Sequence, residues 1–104
     1  MRQKRTPEAL PELRRAAELA PGKPEFAYSY AIGLHASART EEALAVLRQA
    51  SARNPGARSI LVALVTMSRE RGALRDARRY ATRLVAAAPG DPAARELLAS
   101  LGQD

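Results

Sequence analysis

The chain has no cysteine and no tryptophan, a single histidine, and an aromatic share of only 4%. The missing thiols exclude disulfides, thiolate zinc sites, covalent haem attachment and cysteine nucleophiles within these 104 residues. With so few rings, a core must be built from alanine, leucine and valine. That suits close helix–helix contact better than a sandwich or barrel. No apolar run approaches the roughly 18 residues of a membrane span. The longest, Ile60 to Val65, is interrupted by Thr66. The start, MRQKRTPEAL, is basic but lacks the apolar stretch of a signal peptide. No glycine-rich phosphate loop is present: the Pro-Gly pairs end helical patterns, whereas phosphate loops begin them.

Hydrophobic residues make up 46% and charged residues 27%, a balance that fits a folded chain and is too apolar for disorder. The length fits one domain or a piece of one. The formal charge is +6, nearly all of the cations being arginine. Two readings of that charge stand side by side. One is an arginine- and alanine-rich composition tolerated on helix surfaces. The other is an acidic or nucleic-acid partner.

The organising feature is repetition. Pro-Gly occurs at Pro21-Gly22, Pro55-Gly56 and Pro89-Gly90, with spacings of 55 − 21 = 34 and 89 − 55 = 34. A fixed period of that length marks stacked helical hairpins. The segments between the breaks read as six helices. Met1 to Arg5 is a basic tail, and Thr6 is the expected cap of a helix from Pro7 to Ala20, which Pro11 should kink or delay. The second helix is expected over Pro24 to Ser37, with Ala27, Tyr30, Ala31 and Leu34 on one face. After a turn at Ala38-Arg39, Thr40 is the expected cap of the third, with Glu41 and Glu42 in its first turn and Ala43, Leu47 and Ala50 as its inner stripe. The fourth, Arg58 to Arg71, turns Leu61, Leu64 and Val65 inward and stops at Gly72. The fifth, Leu74 to Ala88, repeats the stripe as Ala77, Ala81 and Leu84. Asp91 and Pro92 open the sixth, whose apolar side is Leu97, Leu98 and Leu101. No strand pattern competes, and the short turns make neighbouring helices antiparallel.

The spacing Ala27-x2-Tyr30-Ala31-x2-Leu34, Ala43-x3-Leu47, Pro55 resembles the tetratricopeptide repeat (TPR), whose pattern is W-x2-L-G-x2-Y, A-x3-F, P. The next repeat reads Leu61-x2-Leu64-Val65-x2-Ser68, Ala77-x3-Ala81, Pro89. Ala9-x3-Leu13 and Pro21 match the second helix of an earlier repeat. The resemblance implies an all-α fold of antiparallel hairpins stacked as a short right-handed superhelix. It divides the chain into a tail (1–6) and one TPR-like domain (7–104). Within that domain it places a partial repeat (7–22), two repeats (24–57 and 58–91) and a C-terminal capping helix (92–102). Ala27 and Leu61 stand where the family prefers tryptophan. Val65 stands where it prefers glycine or alanine, so it is expected to push its two helices apart. The wording is similar to short bacterial TPR modules and C-terminal TPR fragments.

Residues for chemistry are scarce. His35 and Ser37 lie two apart on one helix and point to different faces. Glu41 and Glu42 are explained by the helix macrodipole. No catalytic residue, cofactor or metal site is expected, and the chain reads as non-enzymatic. The resemblance implies a partner-binding groove lined by the first helix of each repeat: Tyr28, Ile32 and His35, then Val62, Thr66 and Arg69, then Glu96 and Ser100. The alternative is that these residues merely pack on each other. The basic clamp that some TPR domains use for a peptide carboxylate is not matched, since Tyr28 and Ile32 stand where lysine and asparagine would be needed. Arg75, Arg79 and Arg83, four apart, form a stripe expected on the solvent side, with Arg71 and Arg78 nearby; it lacks the interleaved aromatics of a base-stacking surface.

The expected function is therefore a protein–protein adaptor that binds a peptide or partner segment on a concave face. A structural spacer in a larger protein, or a binder of nucleic acid or another anionic partner through the arginine stripe, is the alternative. The spacing also leaves Leu10 and Leu13 as an apolar patch without a preceding helix, to be hidden by a bend at Pro11 or, as the favoured expectations, covered by a second copy through self-association or by an upstream segment. No membrane partner is expected. The cytoplasm is the default compartment, with the periplasm the alternative for a piece of a secreted protein.

Overall fold

A computed structural model describes residues 6–102, with side chains from residue 9 onward. The basic tail 1–5 lies outside what is described, and Thr6, the expected cap, is instead the first residue of α1. Six helices follow one another: α1 (Thr6–Leu19), α2 (Pro24–Ala36), α3 (Thr40–Arg53), α4 (Arg58–Glu70), α5 (Leu74–Ala87) and α6 (Pro92–Ser100). No strand occurs among the described residues. Each helix packs on the next, and α2 also lies against α4. The result is an elongated stack of 40 × 27 × 21 Å.

The core is the set of positions at which the 34-residue pattern places small or branched residues toward a neighbour. Ala31, Leu34, Ala43 and Leu47 are fully buried between α2 and α3, and Leu61, Leu64, Val65, Ala77 and Ala81 between α4 and α5. Val65 does not push its helices apart, because α4 and α5 pack as extensively as α2 and α3. The register supplies the reason. Val65 corresponds to Ala31 and Ala81 to Leu47, so the larger residue on the first helix meets the smaller one on the second. Swapping bulk across an interface keeps its volume, and volume-conserving changes are the ones cores tolerate.

Three local expectations are corrected. Thr40 is not the cap of α3: Arg39 holds that position with no side-chain cap bond, and Thr40 is the first helical residue. Its hydroxyl is instead 3.0 Å from Nδ1 of His35. Pro11 neither delays nor breaks α1, which runs through it from Thr6. So near the start of the helix, the main loss is the single backbone bond to the carbonyl of residue 7. Leu10 is not an exposed patch residue: it is buried, and Leu13 is half-buried against the same core. Leu10 has the register of Leu44, also buried, on the side of the helix that faces the following repeat. Here α2 covers it.

The loops carry the remaining work. Pro24 and Pro92 take the first helical positions, where a missing N–H costs nothing. Asp91 caps α6, its Oδ1 accepting from the Ala93 amide at 3.0 Å. Gly72 ends α4 at φ 82°, and Ala38, which corresponds to it at the end of α2, adopts φ 65°. In both loops the same bond closes the turn: the Arg39 amide donates to Leu34 O at 2.8 Å, and the Ala73 amide to Ser68 O at 2.9 Å. An alanine in this left-handed region is strained by its Cβ.

Two outcomes follow from this packing. A left-handed residue costs roughly 1–2 kcal/mol without glycine, and glycine gives back roughly 0.4–1 kcal/mol by its freedom in the unfolded chain. Ala38→Gly should therefore stabilise the protein by about 0.5–1 kcal/mol in urea unfolding, and Gly72→Ala should destabilise it by a similar amount. Leu47→Ala opens a cavity at a position that no water reaches, and should cost about 2–5 kcal/mol in the same measurement.

Candidate functional site

The predicted groove residues come from α2, α4 and α6. On α2, Tyr28 and Ile32 are one turn apart and remain 37% and 39% exposed. Their exposure is unusual because the neighbouring positions Ala31, Gly33 and Leu34 are buried. On α4, Val62 and Thr66 are half-buried and Arg69 is exposed. The two helices lie against each other. Glu96 and Ser100 are exposed on α6, which packs chiefly on α5. The Ser100 hydroxyl is already committed, donating to Leu97 O at 2.7 Å. The α2 and α4 residues thus lie on two helices in contact, whereas the α6 pair lies on a helix that packs chiefly on α5.

His35 links the two helices. Its Nε2 is 3.1 Å from Glu70 Oε1 across the α2–α4 contact. With Nδ1 beside Thr40, both ring nitrogens are occupied, which fixes the imidazole at the rim of the stripe. The sequence pattern did not find Thr40 or Glu70 as its partners, since neither carries a motif. A second bridge between repeats joins Arg71 to Glu41. These pairs give the exposed α2–α4 surface a fixed polar edge beside Tyr28 and Ile32. The two helices offer an exposed tyrosine, an exposed isoleucine and an exposed arginine, and tyrosine and arginine are favoured at binding hot spots. Nothing among them sets a nucleophile against a base.

The arginine stripe on α5 is less available than the sequence suggests. Arg79 and Arg83 flank the buried ring of Tyr80, 5.5 and 6.0 Å from its centroid. Arg83 also donates to Ser51 Oγ at 3.1 Å, and Arg79 approaches Asp76. All three arginines remain exposed, as expected of a solvent-facing stripe, but Arg79 and Arg83 have partners within the chain.

A tetratricopeptide-repeat family model matches residues 1–60 and again residues 34–101. The chain belongs to the tetratricopeptide-repeat family. The two overlapping matches run together from the first residue to residue 101, so the TPR pattern extends into α1 and α6, where the sequence shows only half-repeats. No curated protein matches the chain. TPR domains act in general through protein–protein contacts.

Electrostatics fix the ends of this TPR array. Arg58 Nε donates to Asp91 Oδ2 at 3.0 Å, tying the start of α4 to the start of α6. That hydrogen bond holds the Asp91 carboxyl below the ordinary aspartate value, with the α6 amides adding to it and desolvation opposing it. Glu42 is lowered in the same way by its bond from Arg39. A carboxylate depressed in the folded state stabilises above its unfolded pKa, and the contribution is lost as pH falls through the folded value. Stability should therefore decline as pH drops below about 4. Thermal melts of Asp91→Asn, which keeps the cap but not the charge, should show a shallower decline than wild type, and Asp91→Ala a lower melting temperature at neutral pH as well.

Proposed function

We propose that this TPR domain is a non-enzymatic adaptor that binds an extended or helical partner segment along the α2–α4 face, on the concave side of the stack. The observation that carries the reading is the exposed Tyr28–Ile32 pair on α2, with Arg69 exposed on the neighbouring α4 and the His35–Glu70 contact joining the two helices. A surface of this kind supplies a hydrophobic anchor, an arginine for a carboxylate or carbonyl, and a rigid rim. The family supports the coarse statement that the partner is a protein. Among the described residues no helix is long and apolar enough to cross a membrane.

The anionic-partner alternative draws less support, because Arg71, Arg79 and Arg83 are engaged with Glu41, Asp76, Tyr80 and Ser51 within the chain. Peptides selected by display on the whole chain should bind about tenfold more weakly to Tyr28→Ala or Arg69→Ala, and nearly normally to the double variant Arg75→Ala, Arg79→Ala. Loss of binding only with the arginine pair, restored at low salt, would favour the anionic partner instead.

A further inference from the structure

The two ends of the stack carry faces that fit each other. By register, α1 is a second helix of a repeat, like α3 and α5, and α6 is a first helix, like α2 and α4. Among the described residues, α1 lies chiefly against α2 and α6 against α5. No first helix closes onto α1, and no second helix closes onto α6. The exposure of equivalent residues shows what is left uncovered. On α3, Ala43, Leu47 and Ala50 are at most 6% exposed. One period earlier, Ala9, Leu13 and Ala16 are only half-buried. Ala99 on α6 is exposed, although Ala31 and Val65 at the same register are fully buried. Phe26 is 37% exposed, whereas its counterparts Ile60 and Ala94 are fully buried. Each of those two has a complete repeat packed upstream of it.

The two faces match through a contact that the chain already makes. Consider α6 of one copy paired with α1 of another in the way α2 pairs with α3. Ala99 then takes the place of Ala31, and Ala9, Leu13 and Ala16 take the places of Ala43, Leu47 and Ala50. All four are the same residue types as in the α2–α3 contact. The flanking positions change in compatible pairs. Ala27 and Val46 line one cleft between α2 and α3. Their equivalents are Arg95 and Glu12, both exposed and opposite in charge. Tyr30 and Arg53 line that same cleft. Their equivalents are Leu98, half-buried, and Leu19, which is 77% exposed. An apolar pair has thus become a cation facing an anion, and a mixed pair has become two leucines. The contact is shorter than its template, because Gly102 stands for Leu34 and α6 has nine residues to the thirteen of α2.

We propose that the occupant of both faces is a second copy of this chain, docked head to tail, with α6 of one copy closing on α1 of the next. Each such contact completes one repeat between two chains. Leu98 and Ala99 cover Leu13, Ala16 and Leu19, and Arg95 meets Glu12 at the edge. One N–H of the Arg95 guanidinium is given to Pro89 O at 2.5 Å, which leaves others for the carboxylate. Exposed ends are what a repeat array must cap, since each unit packs only on its neighbours. The contact joins unlike surfaces, so every added copy presents a fresh free end. Association then runs on to longer chains or closes into a ring, and does not stop at a pair.

The test is sedimentation equilibrium of the whole chain. A single helix laid into a groove falls at the small end of interface sizes, so the series should reach about 1 mM protein. The weight-average mass should rise with concentration past twice 11.2 kDa. Leu13→Glu, which spoils the α1 face, and Ala99→Glu, which spoils the α6 face, should each abolish association. Mixed together they should form a one-to-one heterodimer and nothing larger, because each variant keeps the face that the other lacks. Glu12→Arg and Arg95→Glu are exposed changes that leave the fold intact. Each should weaken association at least about fivefold, and the double variant should recover it to within about twofold. A chain that stays monomeric throughout would give these faces to some other occupant and overturn the proposal. A mass that levels at the dimer would point to contact between like ends and also overturn it. So would association that survives either face variant, a mixture that fails to heterodimerise, or a charge swap that restores nothing.

Discussion

The burial of α4 is the constraint on which the rest of the structure depends. It touches three other helices, α2, α3 and α5, as α2 touches α1, α3 and α4, and it carries the most buried residues of the six. Ile60, Leu61, Ala63, Leu64, Val65, Met67 and Ser68 are all buried on it, so apolar contact extends around most of its circumference. A helix hydrophobic on so many sides cannot stand at a surface. Its neighbours are therefore set by what it needs covered: α5 closes one side, α3 another, and α2 a third. A repeat array has no other long-range glue, because each unit contacts only its neighbours. The His35–Glu70 contact and the ion pairs Arg71–Glu41 and Arg58–Asp91 lie at the edges of this packing. They are exposed and screened, and act more to fix helix ends in register than to supply stability.

That packing also decides which surfaces are free to act. Covering α4 commits the inward faces of α2, α3 and α5. The exposed pair Tyr28 and Ile32 is the apolar remainder on α2, and the arginines of α5 are drawn onto Tyr80. A net charge of +6 is thus not a uniform cationic surface. Several of its guanidinium groups are spent on carboxylates and on a ring within the chain, and the uncompensated ones are scattered.

Much of the fold is legible in the sequence because its signals are strong and local. Pro-Gly pairs, Pro24, Pro92 and the Asp91 cap place helix ends to within about a residue. The periodic alanines and leucines place the inner faces. What is not legible is relational. Ala38 carries no turn signature of its own; its left-handed conformation shows only when it is aligned with Gly72. The burial of Leu10 depends on α2 lying over it, and the tolerance of Val65 depends on Ala81 opposite. Thr40 reads as a cap by residue type, yet the proximity of His35 claims its hydroxyl. For the candidate site, the exposed residues on α2 and α4 follow from helical spacing, whereas the Glu70 contact to His35 depends on side chains from different repeats meeting in space.

Hydrogen exchange of the backbone amides, resolved residue by residue under native conditions, tests the central role of α4 most directly. Exchange reports the free energy of opening each segment, and the most packed element opens last. The account predicts that the α4 amides from Leu64 to Ser68 are the slowest in the molecule, followed by those of α3 and α5, with α1 and α6 exchanging fastest. Exchange in α4 as fast as in α1 or α6, or maximal protection in a terminal helix, would contradict it.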